Sequence, residues 1–93
     1  MAYQVLQQTR FRRQLKKLHP NVKHDVDEAV RKIADEPSLG ERKKGDLASL
    51  YVYKFHSQNQ LYLLGYTIDN GIRLIYLEAI SPHENFYRDL KRN

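Results

Sequence analysis

Residues 50–80 read LYVYKFHSQNQLYLLGYTIDNGIRLIYLEAI, and this stretch decides the fold. Its apolar residues alternate with others instead of recurring every three or four positions. Tyr51, Tyr53 and Phe55 fall on one side of an extended chain, and Val52, Lys54 and His56 fall on the other. Ser57-Gln58-Asn59-Gln60 is a polar turn leading into a second strand from Leu61 to Ile68. Asp69-Asn70-Gly71 follows, and Asn-Gly signals a tight hairpin because both of its positions tolerate positive φ. A third strand runs from Ile72 to about Ile80, so the stretch is a three-stranded meander.

Upstream the period is helical. Phe11, Leu15 and Leu18 share one helix face after a capping Thr9, and the opposite face carries lysines and arginines. His19-Pro20-Asn21 breaks that helix. Val22, Val26, Ala29, Val30 and Ile33 then keep helical spacing as far as Glu36-Pro37, which makes the pair a helical hairpin. Tyr3 to Gln7 alternates as a short first strand, and Pro37 to Asp46 is a charged loop. Downstream, Ser81-Pro82-His83-Glu84 combines a capping serine, a proline at the first helical position and a glutamate that reaches back, so a last helix starts at Pro82. The prediction is an α+β domain: an N-terminal strand and helical hairpin packed on a mainly antiparallel four-stranded sheet, with a short C-terminal helix. The 93 residues make one domain, 1–93, with no room for a second.

Composition narrows the function classes. No segment approaches the roughly 20 apolar residues of a membrane span, and the first residues do not read as a secretory signal. With no cysteine there is no disulfide framework and no thiolate metal site, so a cytoplasmic location is expected. Lysine and arginine number 16 against 11 acids, and the excess is uneven. Arg10, Arg12, Arg13, Lys16, Lys17 and Lys23 precede the first acid. Such a stripe neutralises nucleic-acid phosphates or docks an acidic protein, and it is equally the composition of a solvated helix face.

His83 in the first turn of the last helix has a reference pKa of about 6.5, near cellular pH, which suits proton transfer. Tyr87 lies four positions on, on the same face, with Phe86 and Leu90 as the neighbouring apolar contact. By spacing alone such a pair is more often structural than catalytic. Lys54 in mid-strand implies a face that meets solvent or a ligand. His19 and His24 lack the i, i+4 spacing of helical metal ligands, and no phosphate-cradling glycine loop is present, so neither a metal nor another cofactor is expected.

Gly45 to Phe55 resembles the entry into the meander of the RelE/ParE toxin superfamily. Pro82-His83-Glu84-Asn85-Phe86-Tyr87-Arg88-Asp89-Leu90-Lys91-Arg92 is similar to the terminal motif of its RelE/StbE-like branch, where a histidine or arginine precedes a tyrosine or phenylalanine by four positions. The resemblance covers almost the whole chain. It implies the toxin of a type II toxin–antitoxin system, an mRNA endoribonuclease acting on the ribosome without metal, in which the substrate 2′-hydroxyl attacks the adjacent phosphate. Implied partners are ribosome, mRNA and a cognate antitoxin held in a hetero-oligomer, acidic or amphipathic if it docks on the basic stripe.

Under that resemblance His83 transfers a proton, Tyr87 acts as base, acid or stacking partner, and Lys54 stabilises the phosphate. Lys43, Lys44, His56, Tyr62, Arg73, Arg88 and Lys91 are candidates for RNA binding. The chain departs from the pattern at one place. Many RNA-cleaving members carry an arginine in the middle strand where Leu61 or Tyr62 stands here, and Arg73 substitutes only if it faces the cleft. The same fold also implies an alternative: ParE-like inhibition of DNA gyrase by protein contact, in members that generally lack the terminal pair.

Overall fold

The computed structural model describes residues 2–45 and 49–91. Asp46, Leu47, Ala48 and Arg92, which belong to the two resembling segments, lie outside the described residues. Strand β1 (Gln4–Gln7) leads into helices α1 (Thr9–Lys16) and α2 (Pro20–Asp35), then a single 3-10 turn (Pro37–Leu39) and a two-residue strand β2 (Glu41–Arg42). The meander is β3 (Tyr51–Ser57), β4 (Gln60–Asp69) and β5 (Leu74–Pro82), and α3 (His83–Lys91) ends the described chain. The sheet order is β1-β5-β4-β3-β2, with β1 parallel to β5 and the other pairs antiparallel.

The predicted α+β class holds, with five strands instead of four. The extra strand is β2, inside the segment expected to be a loop. It is fixed by Tyr66, whose buried hydroxyl donates to the Pro37 carbonyl at 2.6 Å and accepts from the Gly40 amide at 2.8 Å. Burial raises the Tyr66 pKa, and the Gly40 amide opposes that shift. A Cβ on Gly40 would lie 2.5 Å from the Tyr66 hydroxyl, so glycine alone permits the approach.

The sheet is covered on both faces. On one, Phe11, Val22, Val26, Ala29 and Ile33 of α1 and α2 pack on Tyr62, Leu64, Tyr66, Ile75, Leu77 and Ile80. On the other, Phe86 of α3 packs on Leu50, Val52, Leu63 and Ala79, with Tyr87 and Leu90 at the margin. Tyr62 through Tyr66 are all buried for this reason, and β4 reads as a nearly continuous apolar run. The register shifts between Gly65 and Tyr66, which face Ala79 and Leu77, leaving Glu78 as the extra residue of a bulge. Glu78 accepts from the Thr67 hydroxyl at 2.9 Å, and the Gln14 side chain accepts from the Ile80 amide at 2.9 Å.

Four boundaries differ from expectation. Thr9 is the first residue of α1 and not its cap, which is Gln8 with no side-chain capping hydrogen bond. The tight two-residue turn is Gln58-Asn59, both with positive φ (53° and 65°), between the paired Ser57 and Gln60. At Asn70-Gly71 the loop is longer because the Asp69 carboxylate accepts from the Gly71 and Ile72 amides at 3.0 and 3.3 Å, and the positive φ falls on Arg73 (53°). Helix α3 begins at His83, since β5 keeps Pro82 opposite Tyr62. In α2, Pro20 stands at the first turn and His19 Nδ1 caps by accepting from the Asn21 amide at 3.2 Å.

Candidate functional site

Glycine on the middle strand lets the last helix sit down on the sheet. A Cβ on Gly65 would come within 2.8 Å of Phe86 Cζ, so the aromatic ring rests on bare backbone. This seat sets the rest of α3. Pro82 pairs with Tyr62 and Tyr62 with Phe55, whereas Gly65 under Phe86 pairs with Val52. The helix therefore enters at the level of Phe55 and passes Val52, with Lys54 at an intermediate level on the face that α3 covers.

Tyr87 follows Phe86, its ring edge-on to the phenyl group at 5.1 Å. The Lys43 ammonium lies over the Tyr87 ring, 5.6 Å from its centroid, and 2.6 Å from Glu41 Oε1. The Lys43 amide donates to the Leu50 carbonyl at 2.8 Å, which anchors this segment beside β3. Hydrogen bonds to Glu41 and then to Tyr87 hold the Lys43 pKa above its ordinary value, against the smaller effect of burial. Reciprocally, Lys43 first and Lys54 after it hold the Glu41 carboxyl below the usual carboxylate range. Glu41, Lys43, Lys54 and Tyr87 thus form one electrostatic cluster on the α3 side of the sheet. Sequence reasoning missed Glu41, although Glu41 and Lys43 stand at the i, i+2 spacing that shares a side in extended chain.

His83 opens α3 with its side chain 60% exposed and Nδ1 3.9 Å from Glu84 Oε2. Glu84 accepts from Gln60 at 2.9 Å, fixing the start of the helix to the turn between β3 and β4. Tyr87 is about 6 Å further along the axis at 1.5 Å per residue. His56, exposed on β3, borders a groove toward α2 that also includes His24, Asp25, Glu28, Tyr53 and Phe55. Lys44 joins Arg42, Lys43 and Gly45 around a shallow pocket. Arg88 pairs with Asn85 at 3.1 Å and Asp89 at 3.5 Å, and Lys91 is exposed at the end of the described helix. Arg10 donates to the Leu90 carbonyl at 3.2 Å, tying α1 to α3.

Besides His56, which borders the groove toward α2, two RNA-binding candidates are not brought to this cluster. Tyr62 is 6% exposed and stacks on Phe55 in the core under α1 and α2, the face away from α3, so it has no ring face to offer a nucleotide. Arg73 stacks on Tyr3, 4.4 Å from the ring centroid, at the opposite end of β5. At about 3.3 Å per residue, that is roughly 20 Å from the level of Lys54. Of the two positions where an arginine is expected, Leu61 lies on the α3 side of the middle strand and Tyr62 on the other, and Arg73, held at Tyr3 far from both, does not replace the missing arginine. Among the described residues, no group of three or more His, Asp or Glu side chains is placed to hold a metal ion, and no helix is long and apolar enough to cross a membrane.

A family model for the ParE-like toxin of type II bacterial toxin–antitoxin systems matches residues 5–91. The chain belongs to this family. Solved structures place the ParE-like toxin among RelE folds. The RelBE2 toxin–antitoxin complex of Mycobacterium tuberculosis contains a chain 26% identical, with a TM-score of 0.79 over 89% of this toxin and 100% of that chain. A chain of the intact E. coli RelBE complex is 18% identical, with a TM-score of 0.72 over 86% of this toxin and 95% of that chain. The archaeal RelE–RelB complex from Pyrococcus horikoshii gives 18% identity and a TM-score of 0.62 over 88% and 96%. No curated protein matches the toxin in sequence.

Proposed function

We propose that this toxin is a ribosome-dependent mRNA endoribonuclease that inhibits translation and is held inactive by a cognate antitoxin. The observation that carries this reading is the meeting of Tyr87 with Lys43 on the sheet face that also bears Lys54, with His83 exposed one turn earlier on the same helix. Cleavage of a phosphodiester by its own 2′-hydroxyl requires a proton acceptor, charge stabilisation at phosphorus and a proton for the departing 5′-oxygen. His83 exchanges the protons. Lys54 and Lys43 neutralise the phosphorane oxygens, and Tyr87 orients the nucleotide by stacking or hydrogen bonding. Lys44, His56, Arg88 and Lys91 bind the surrounding RNA, as does the exposed face of α1. The partners are mRNA on the ribosome and an antitoxin, and the place of action is the cytoplasm.

Mapping of cleavage ends on mRNA bound to programmed ribosomes tests this. Wild type should cut within the decoding site, and His83→Ala should slow cutting by roughly 100-fold or more, the usual scale of acid–base catalysis, whereas Tyr87→Phe, which keeps the stacking ring, should cost distinctly less. Equal cutting by wild type and His83→Ala would remove the histidine from the chemistry. A second reading, inhibition of DNA gyrase by binding, is favoured by the ParE-like family model and by Leu61 or Tyr62 standing where an arginine is expected on β4. Supercoiling inhibition with uncut mRNA would establish it instead.

A further inference from the structure

Glu41 has no part in the chemistry above, yet it sits where the substrate phosphate is expected. It stands opposite Val52 across the β2–β3 pair, so its side chain leaves the sheet on the α3 side. Its carboxylate is 2.6 Å from the Lys43 ammonium and feels Lys54 as well. A carboxylate and a phosphodiester make the same charge-assisted hydrogen bonds to an ammonium group, so they compete for it.

The two partners are held very differently. Lys43 has a side chain only 22% exposed, laid against Tyr87, whereas the Glu41 side chain is 67% exposed. The lysine is largely covered by its neighbours, whereas the carboxylate is mostly open to water. We propose that Glu41 is an internal anion that occupies the phosphate position between Lys43 and Lys54 in the free toxin, and that an RNA phosphate binds by displacing it. This deepens the nuclease reading and rests on it for the nature of the ligand. It lowers, without cancelling, the positive charge of the unliganded site. The discrimination it provides favours ligands whose phosphate is presented together with a stacking base, because a lone weak anion gains little by evicting a resident one.

The test is binding without turnover. Inorganic phosphate and an uncleavable 2′-O-methyl trinucleotide are titrated into full-length wild type, Glu41→Gln and the double variant Glu41→Gln/Lys43→Met, followed by NMR at low salt. Glu41→Gln should bind both probes roughly 1.5- to fivefold tighter, the scale of an exposed ion pair. The gain should shrink at high salt and vanish in the double variant. Unchanged or weaker binding by a folded Glu41→Gln protein overturns the proposal, and so does a gain that survives loss of Lys43. If wild type leaves ribosomal mRNA uncut while Glu41→Gln still tightens binding of phosphate, the nuclease reading fails and the competition stands. If mRNA is cut but Glu41→Gln changes nothing in binding, the competition alone fails.

Discussion

Phe86 rests directly on the backbone of Gly65, and any side chain at that glycine would occupy the space of the ring, 2.8 Å from its Cζ. Phe86 is 1% exposed and packed in one cluster with Leu50, Val52, Leu63 and Ala79, and Leu50 Cδ1 would lie 3.3 Å from a Cβ added at Gly65. Gly65→Ala should destabilise the protein by about 1–3 kcal/mol, the usual cost of overpacking. It should also lift α3, making the β5–α3 junction a protease site. Unchanged melting and unchanged proteolysis would mean that the helix is seated elsewhere.

Tyr66→Phe removes the hydroxyl that joins the Pro37 carbonyl to the Gly40 amide. With both partners left unsatisfied near the core, the loss should be about 1–3 kcal/mol. The specific sign is a rise in hydrogen exchange at the Gly40 amide beyond what the lost global stability accounts for, with the core amides of β4 speeding up only in step with that loss. Because β2 carries Glu41 and leads to Lys43, the same variant should weaken the contact between Lys43 and Tyr87.

Gln58→Gly should stabilise. Gln58 sits at φ 53° in the tight turn, a conformation that costs an ordinary residue about 1 kcal/mol or more. Relief of that strain, less the entropy that glycine adds to the unfolded chain, leaves a gain of about 0.5 kcal/mol. Gly71→Ala is the contrasting case. Its φ is not positive, but its added Cβ would lie 3.2 Å from the Asp69 Oδ1 that accepts from the Gly71 and Ile72 amides, so denaturation midpoints should fall slightly as that turn loosens.

The Lys43–Glu41 pair sets a pH window. The lysine pKa is raised, so its share of the attraction is complete below the ordinary value of 10.5 and is lost as pH climbs through the higher folded value. The glutamate pKa is lowered, so its share is complete above 4.5 and is lost as pH falls through the lower folded value. Side-chain NMR titration should show both displacements, and Glu41→Gln should return Lys43 part of the way down. A Lys43 titration indifferent to Glu41 would contradict the 2.6 Å contact.

The regular elements were legible because they repeat. Alternation through Tyr51-Val52-Tyr53-Lys54-Phe55 marks β3, and the spacing of Val22, Val26, Ala29 and Ile33 marks α2. Alternation says which residues share a face and not which layer covers it. Tyr62 therefore stayed ambiguous until its pairing with Phe55 placed it under α1 and α2. Strand β2 was illegible because it depends on a hydroxyl 26 positions away from Gly40. The tight turn was misplaced because Asn70-Gly71 has the favoured composition, whereas the ladder closing at Ser57 and Gln60 forces positive φ on Gln58 and Asn59. At the site, the spacing of His83 and Tyr87 was visible, and the cationic partner of Tyr87 was not, since Lys43 reaches it from the far edge of the sheet.

Strand β1 pairs with β5, so Gln4 waits for Leu74. A ribosome making this chain exports the first strand long before its neighbour exists, and no local hairpin can shelter it meanwhile. Closing so distant a contact is slow compared with forming the helices. A partly synthesised copy consequently cannot complete its sheet, and the working surface assembles only when translation of the β5–α3 segment is done.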